Sequence, residues 1–139
     1  MIRTCTGCSV ILKDRHKIKF CSNKCQQQYR QRLFIDDWKV GVKNGTVGIN
    51  VRTLSGYVRH YLIQANGEKC SQCGWSERHE ITKHVPLEVD HIDGDSENSK
   101  ESNLRLLCPN CHSLTMHFRN LNKGRGRKWR MEKYKKNVN

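Results

Sequence analysis

Eight cysteines constrain this chain of 139 residues more than any other feature of its sequence, because all of them fall into close pairs. The pairs are Cys5 and Cys8, Cys21 and Cys25, Cys70 and Cys73, and Cys108 and Cys111. Two such pairs of thiols can close one tetrahedral four-thiolate zinc site. Only 35% of the residues are hydrophobic, so cross-links of this kind are expected to replace part of a core that the chain cannot build.

The N-terminal stretch contains no long apolar run and no small-residue cleavage site, so neither a signal peptide nor a membrane span is predicted. This indicates a cytoplasmic protein. In a reducing compartment, paired cysteines are metal ligands far more often than disulfides. We therefore predict two structural Zn²⁺ sites, one formed by the first four cysteines and one by the last four.

The net charge of +13 is unevenly distributed along the chain. Residues 1–67 carry +9, residues 68–112 carry −4 and residues 113–139 carry +8. Two basic arms around an acidic centre suit a polyanion that is bound by its backbone while central carboxylates hold cations. The pattern favours a nucleic-acid partner, with surface charge kept for solubility as the alternative.

Local patterns divide the chain into four parts. Residues 1–35 are predicted to be an N-terminal zinc-finger module with a short helix after Cys25, and glycine-rich residues 36–52 a linker. Residues 53–118 begin with an amphipathic helix that stops at Asn66-Gly67. Residues 119–139 form a basic tail. The predicted fold class is a small, metal-stabilised α+β protein.

The second cysteine unit contains a short β-like run, "PLEVDHI", and a polar loop, "DGDSENSKES". The segment "NLRLLCPNCHSLTMHFRNL" then begins extended and is predicted to end as a helix. A hairpin followed by a helix is the expected assembly.

The sequence "CPNCH" at residues 108–112 has three interpretations. A haem-attachment site would need an exported or organellar protein and would leave Cys70 and Cys73 without partners. A zinc site takes its four ligands from the cysteines alone. If His112 enters a helix, its side chain points about 100° away from that of Cys111, so the histidine is free to serve a different site.

Asp90-His91, Asn103 and His112, framed by two Cys-x-x-Cys pairs, resemble the HNH endonuclease family in its zinc-supported form. The resemblance covers about residues 70–118 and implies a ββα-metal module. It implies that Asp90 and His112 hold a catalytic divalent metal, that His91 is the general base, and that Asn103 braces the loop and orients His91. Short phage-borne members are similar in size and basicity, which implies a phage-infected or bacterial host cell.

The residue types suit phosphodiester hydrolysis. A histidine can accept a proton from the attacking water near neutral pH. One carboxylate and one imidazole leave coordination positions for water and phosphate, which fits Mg²⁺ or Mn²⁺, with Zn²⁺ or Ni²⁺ as further possibilities. The predicted function is a metal-dependent DNA endonuclease that nicks or cuts both strands; a non-catalytic zinc-finger DNA-binding regulator and an HNH nuclease acting on RNA are the alternatives.

Double-stranded DNA is the expected partner, and no membrane partner is expected. The chain is predicted to bind DNA as a monomer or a homodimer. The cations predicted to contact its phosphates are Arg119, Lys123, Arg125, Arg127, Lys128, Arg130 and Lys133. Some family members add a second helix histidine four residues after the first, whereas His117 follows His112 by five. On a regular helix His117 would point away from the metal, so we predict a phosphate or surface contact.

Overall fold

The computed structural model describes residues 2–48, 51 and 53–122. These residues divide into two compact units, with the boundary between Lys43 and Asn44. Within the described part of the chain, no helix has the length and apolar character needed to cross a membrane.

The N-terminal unit is organised around its first cysteine pair. An antiparallel bridge between Thr4 and Ile11 brings together the two ends of the segment that carries the pair. Burial in this unit centres on two of the cysteines and on the apolar residues beside them: Cys5, Leu12 and Cys25, with Phe20 and Cys21 packed against them. The core is therefore formed largely by the cysteines themselves.

Helix α1, Asn23–Lys39, leaves the second cysteine pair. The Ser22 side chain accepts a hydrogen bond from the Cys25 N–H and caps the helix. A helix was predicted here, but a short one; α1 runs through residue 39, into the segment 36–52 predicted as a linker. Ile35 and Trp38 are three apart on one face and both are buried, which extends the helix.

Helix α2, Gly56–Asn66, opens the C-terminal unit. Its N-cap is Ser55, whose side chain accepts from the Tyr57 N–H, and its C-cap is Gly67 with φ +80°. Val58 and Leu62, one turn apart, are buried. The amphipathic helix ending at Asn66-Gly67 is confirmed.

Strands β1, Glu88–His91, and β2, Leu104–Leu107, form an antiparallel two-stranded sheet. The register pairs Asp90 with Arg105 and His91 with Leu104. Leu106 and Leu107 are fully buried, and α2 packs against β2. The apolar residues of β2 thus anchor the sheet to the rest of the unit.

Helix α3, Pro109–Ser113, follows β2 and contacts both strands. The predicted order of a hairpin followed by a helix is confirmed, but the helix is only five residues long. The Thr115 hydroxyl donates to the His112 carbonyl at 3.0 Å, and the Leu114 N–H bonds back to Cys111. These local bonds end the helix.

His117 therefore does not lie on α3, and the assumption of a regular helix through that residue was wrong. Its ring packs against Gly94, where an added Cβ would lie 2.4 Å from the His117 Cγ. The predicted surface or phosphate role of His117 stays a prediction.

Candidate active site

The four cysteines of the C-terminal unit surround the start of α3. Their sulfurs all lie within 4.8 Å of one another, and the Sγ atoms of Cys73 and Cys108 are 3.8 Å apart. Two sulfurs on one tetrahedral Zn²⁺ with bonds of about 2.3 Å lie about 3.8 Å apart, so the spacing fits zinc. Cys108 Sγ also accepts from the Cys111 N–H and caps α3.

The pKa values of two thiols in this cluster are shifted in opposite directions. Burial raises the pKa of Cys70, but hydrogen bonds from the backbone of Cys108, Cys73 and Gln72 outweigh it and lower the pKa to about 6. The Cys73 side chain, together with burial, raises the pKa of Cys111 to about 12. Four sulfurs this close repel one another as thiolates, and a divalent cation relieves that repulsion.

Asp90 lies near the end of β1 with its side chain only 8% exposed. Because side chains alternate along a strand, Glu88 and Asp90 share one face of the sheet and His91 lies on the other. Asp90 Oδ2 accepts a 2.8 Å bond from Nε of Arg105, its cross-strand partner. Its other oxygen, Oδ1, is directed towards His112.

His112 projects from α3 towards the face of the sheet that carries Asp90. Its Nδ1 lies 2.6 Å from Glu88 Oε2, and its Nε2 lies 3.9 Å from Asp90 Oδ1. The Phe118 ring packs edge-on against the imidazole with centroids 5.3 Å apart. An Nδ1–H that donates to Glu88 leaves the Nε2 lone pair facing Asp90, which is the tautomer a metal ligand needs.

His91 is half-buried on the opposite face of β1. Its Nε2 lies 3.2 Å from the Ser99 hydroxyl. Burial lowers the pKa of His91, although the charges of Asp93, Asp90 and Asp95 act against the shift. The ring is therefore mainly neutral at neutral pH and can accept a proton.

Asn103 holds the loop that connects the two strands. Its Oδ1 accepts from the Asp93 N–H at 3.1 Å, and its Nδ2 donates to Asp93 Oδ1 at 2.8 Å and to the Asn98 carbonyl at 2.7 Å. The side chain is buried, so these bonds are shielded from water. Asn103 thus fixes the loop that begins immediately after His91.

The N-terminal unit holds the other four-cysteine cluster. The Sγ atoms of Cys5 and Cys25 are 3.4 Å apart, and those of Cys8 and Cys21 are 3.6 Å apart. All four sulfurs again lie within 4.8 Å of one another. Both predicted groupings of the cysteines are confirmed as sets that could hold a metal, while the identity of the ion as zinc stays a prediction.

Known proteins resemble the segment of the chain that contains the hairpin, α3 and the second cysteine cluster. Residues 70–117 match the HNH endonuclease family. A stretch of 57 residues is 46% identical to the H-N-H endonuclease F-TflIV of Escherichia phage T5 and covers 41% of this chain. We call residues 70–117 the HNH domain after this match. The same stretch spans 24% of the phage protein's length. No solved structure matches the chain.

The HNH domain contains Asp90, His91, Asn103 and His112, together with the second cysteine cluster. The N-terminal unit and α2 lie outside it. The resemblance inferred from the residues alone is confirmed, while the role of each residue stays a prediction.

Asp90 and His112 lie close enough together to contact one divalent cation. Two ligand atoms on one ion with bonds of about 2.1 Å can be at most about 4.2 Å apart, and Oδ1 and Nε2 are 3.9 Å apart. Among the described residues, the sets of three or more Cys, His, Asp or Glu that could hold an ion are the two cysteine clusters. Water and substrate would therefore complete the shell of this two-ligand site, as is usual for Mg²⁺.

Two residues of the HNH domain were not predicted from the sequence. Glu88 is two residues before Asp90, so strand alternation alone could have placed it on the same face. Arg105 carried no such signal, because its pairing with Asp90 depends on the register across a loop.

Of the predicted DNA contacts, only Arg119 is among the described residues. It is exposed, and its guanidinium lies over the Phe118 ring, 5.0 Å from the centroid. Phe118 in turn packs edge-on against the His112 ring. The remaining predicted contacts lie outside the described residues: Lys123, Arg125, Arg127, Lys128, Arg130 and Lys133.

Proposed function

We propose that the chain is a metal-dependent endonuclease that hydrolyses phosphodiester bonds in double-stranded DNA. The observation that supports it most is the 3.9 Å separation of Asp90 Oδ1 and His112 Nε2, next to a half-buried His91, within an HNH domain. In this proposal, β1, β2 and α3 form a ββα-metal module. The ion at Asp90 and His112 is distinct from the structural zinc.

His91 is the proposed general base. With the proton on Nε2, the ring donates to Ser99 and leaves Nδ1 to accept the proton of an attacking water. The lowered pKa of His91, caused by burial, keeps the ring neutral and ready for this step. Asn103 supports the base indirectly, because its carbonyl accepts from the Ile92 N–H at 2.9 Å.

Asp90 and His112 would hold Mg²⁺ or Mn²⁺, with Zn²⁺ or Ni²⁺ as further candidates for this mixed ligand set. A divalent cation there supplies charge stabilisation for the phosphate and the leaving oxygen. Glu88 holds the His112 ring, as carboxylates commonly do for metal-binding histidines.

DNA is proposed as the substrate because the net charge of +13 suits a polyanion and the phage protein with the matching segment is an H-N-H endonuclease. RNA cleavage and DNA binding without cleavage are the alternatives to be tested. The cytoplasm of a bacterial or phage-infected cell is the proposed setting.

Cleavage of supercoiled plasmid tests the proposal. We expect wild-type protein to nick or linearise the plasmid when Mg²⁺ or Mn²⁺ is added, and His91→Ala to be slower by about 10²- to 10⁴-fold, the range of general-base catalysis. His60→Ala is the matched control, because His60 is exposed on α2 and outside the HNH domain. Gel electrophoresis of the nicked and linear forms gives the rates.

Equal cutting by wild type and His91→Ala would contradict the assigned base. No cutting of plasmid by wild type, with retained binding, would favour the regulator. Cutting of a matched RNA but not of the plasmid would favour the RNA nuclease.

A further inference from the structure

Arg105 sits beside the candidate metal ligand Asp90 and was not part of the residue pattern that identifies the HNH domain. It is the direct cross-strand partner of Asp90, and its Nε donates to Asp90 Oδ2 at 2.8 Å. The Asp90 side chain is 8% exposed, whereas that of Arg105 is 32% exposed. Arg105 is thus the more exposed partner of this ion pair and Asp90 the buried one.

The two oxygens of Asp90 have different neighbours. Oδ2 is occupied by Arg105, while Oδ1 lies 3.9 Å from Nε2 of His112. Arg105 thus leaves one oxygen of the carboxylate for a cation. Among the described residues, Asp90 is the one partner of this guanidinium, and only Nε takes part in the hydrogen bond.

The Nη groups of Arg105 are suited to a phosphate. A guanidinium presents a planar fork of donors that matches two phosphate oxygens, and the partly exposed Arg105 side chain holds its fork beside the candidate metal ligand Asp90. Its charge also offsets the negative charge that Asp90 and Glu88 present to an incoming polyanion.

We propose that Arg105 is a substrate-binding residue that holds Asp90 through Nε and contacts the DNA phosphate at the metal site through its Nη groups. This inference rests on the proposed function for the identity of the substrate. The proposal predicts that Arg105 strengthens the binding of DNA and weakens the binding of the divalent metal ion. The cation attracts the phosphate but repels a divalent metal ion from Asp90.

The test uses the full chain with its zinc bound and compares Arg105→Gln with Arg78→Gln. Arg78 is the matched control because it also pairs with a carboxylate, Glu68, at 2.6 Å, and its removal changes the net charge equally. Affinity for a labelled 20-base-pair duplex is measured by fluorescence anisotropy over a series of salt concentrations, without added divalent metal. Mn²⁺ affinity is measured separately by electron paramagnetic resonance, without DNA.

We expect Arg105→Gln to weaken duplex binding about tenfold and to reduce the slope of log affinity against log salt by about one. The same variant should bind Mn²⁺ roughly threefold or more tightly, because a positive charge next to Asp90 is gone. Arg78→Gln should change duplex affinity by less than about twofold. Arg105→Lys keeps the charge but not the fork, so it should keep the salt slope and lose part of the affinity.

Equal duplex binding by Arg105→Gln and Arg78→Gln would overturn the inference. A fall in both Mn²⁺ and DNA affinity in Arg105→Gln, with Arg105→Lys behaving in the same way, would also overturn it, since that is the result of a purely structural pair. If Arg105→Gln loses zinc, Arg105→Lys against Arg78→Lys decides the question by the same readouts.

The two proposals can fail separately. If the wild-type protein does not cut plasmid, the proposed function is contradicted. The duplex-binding measurements still decide whether Arg105 contacts phosphate. Wild type that cuts, while Arg105→Gln and Arg78→Gln bind DNA alike, overturns only the role of Arg105.

Discussion

The two cysteine clusters begin with the same backbone turn and end in different structures. In the first, the Cys5 N–H bonds to the Val10 carbonyl at 2.8 Å and the Ser9 N–H bonds to Cys5. In the second, the Cys70 N–H bonds to the Trp75 carbonyl at 2.8 Å and the Gly74 N–H bonds to Cys70. Ser9 and Gly74, each directly after the second cysteine, both have positive φ, at 61° and 77°.

The second halves of the clusters differ in the helices that carry the thiols. Cys21 and Cys25 are separated by three residues and lead into α1, seventeen residues long, with Ser22 as its cap. Cys108 and Cys111 are separated by two residues and lie at the start of a helix of five residues that presents His112 to the sheet. The same thiolate unit therefore supports a long helix in one case and directs a single side chain in the other.

Replacement of one cysteine in either cluster should have the largest effect on stability and cleavage. The two replacements should also show that the two units fold independently. Apparent binding energies of structural zinc are on the order of 10 kcal/mol or more, so we expect Cys111→Ser to unfold the HNH domain and abolish cleavage. Cys21→Ser should lose one zinc as well but leave the HNH domain folded and able to cut. Zinc per chain from native mass spectrometry and plasmid cleavage check this; loss of cutting in Cys21→Ser would break the comparison.

Replacement of His112 should show that the second cluster directs a residue that is not its own ligand. We expect His112→Ala to keep two zinc ions per chain and its thermal midpoint, and to lose about 100-fold or more in cleavage rate. Zinc content and the midpoint are measured beside Cys111→Ser. Zinc loss in both variants alike would mean that His112 belongs to the zinc site.

Replacement of Gly74 or Ser9, the residue that follows the first cysteine pair of each cluster, should have the smallest effect on stability. Gly74→Ala should cost about 1 kcal/mol of unfolding free energy, because the left-handed conformation disfavours a side chain and no atom lies within 4 Å of the new Cβ. Ser9→Gly should change the stability of the N-terminal unit by up to about 1 kcal/mol in the stabilising direction. Denaturant unfolding of each variant measures both; stabilisation by Gly74→Ala would show that the turns are not equivalent.

Much of the fold could be predicted because its signals are local. The cysteine spacing grouped the eight cysteines correctly into two clusters that could hold a metal, the apolar period located α2, and the run "PLEVDHI" with its polar loop indicated the hairpin. The ends of two helices could not be predicted. Burial of Trp38 extends α1, and the Thr115 hydroxyl ends α3; both depend on packing or on side-chain direction.

For the candidate site, residue types and order were sufficient to propose Asp90, His91, Asn103 and His112, all of which lie in the segment that matches the HNH endonuclease family. Strand alternation was sufficient to separate Asp90 from His91. Only the tertiary structure decided that Arg105 faces Asp90, that Glu88 holds His112, and that His117 packs on Gly94. These contacts depend on the register of the hairpin and on the short length of α3. The sequence spacing of the residues in contact determines neither the register nor the helix length.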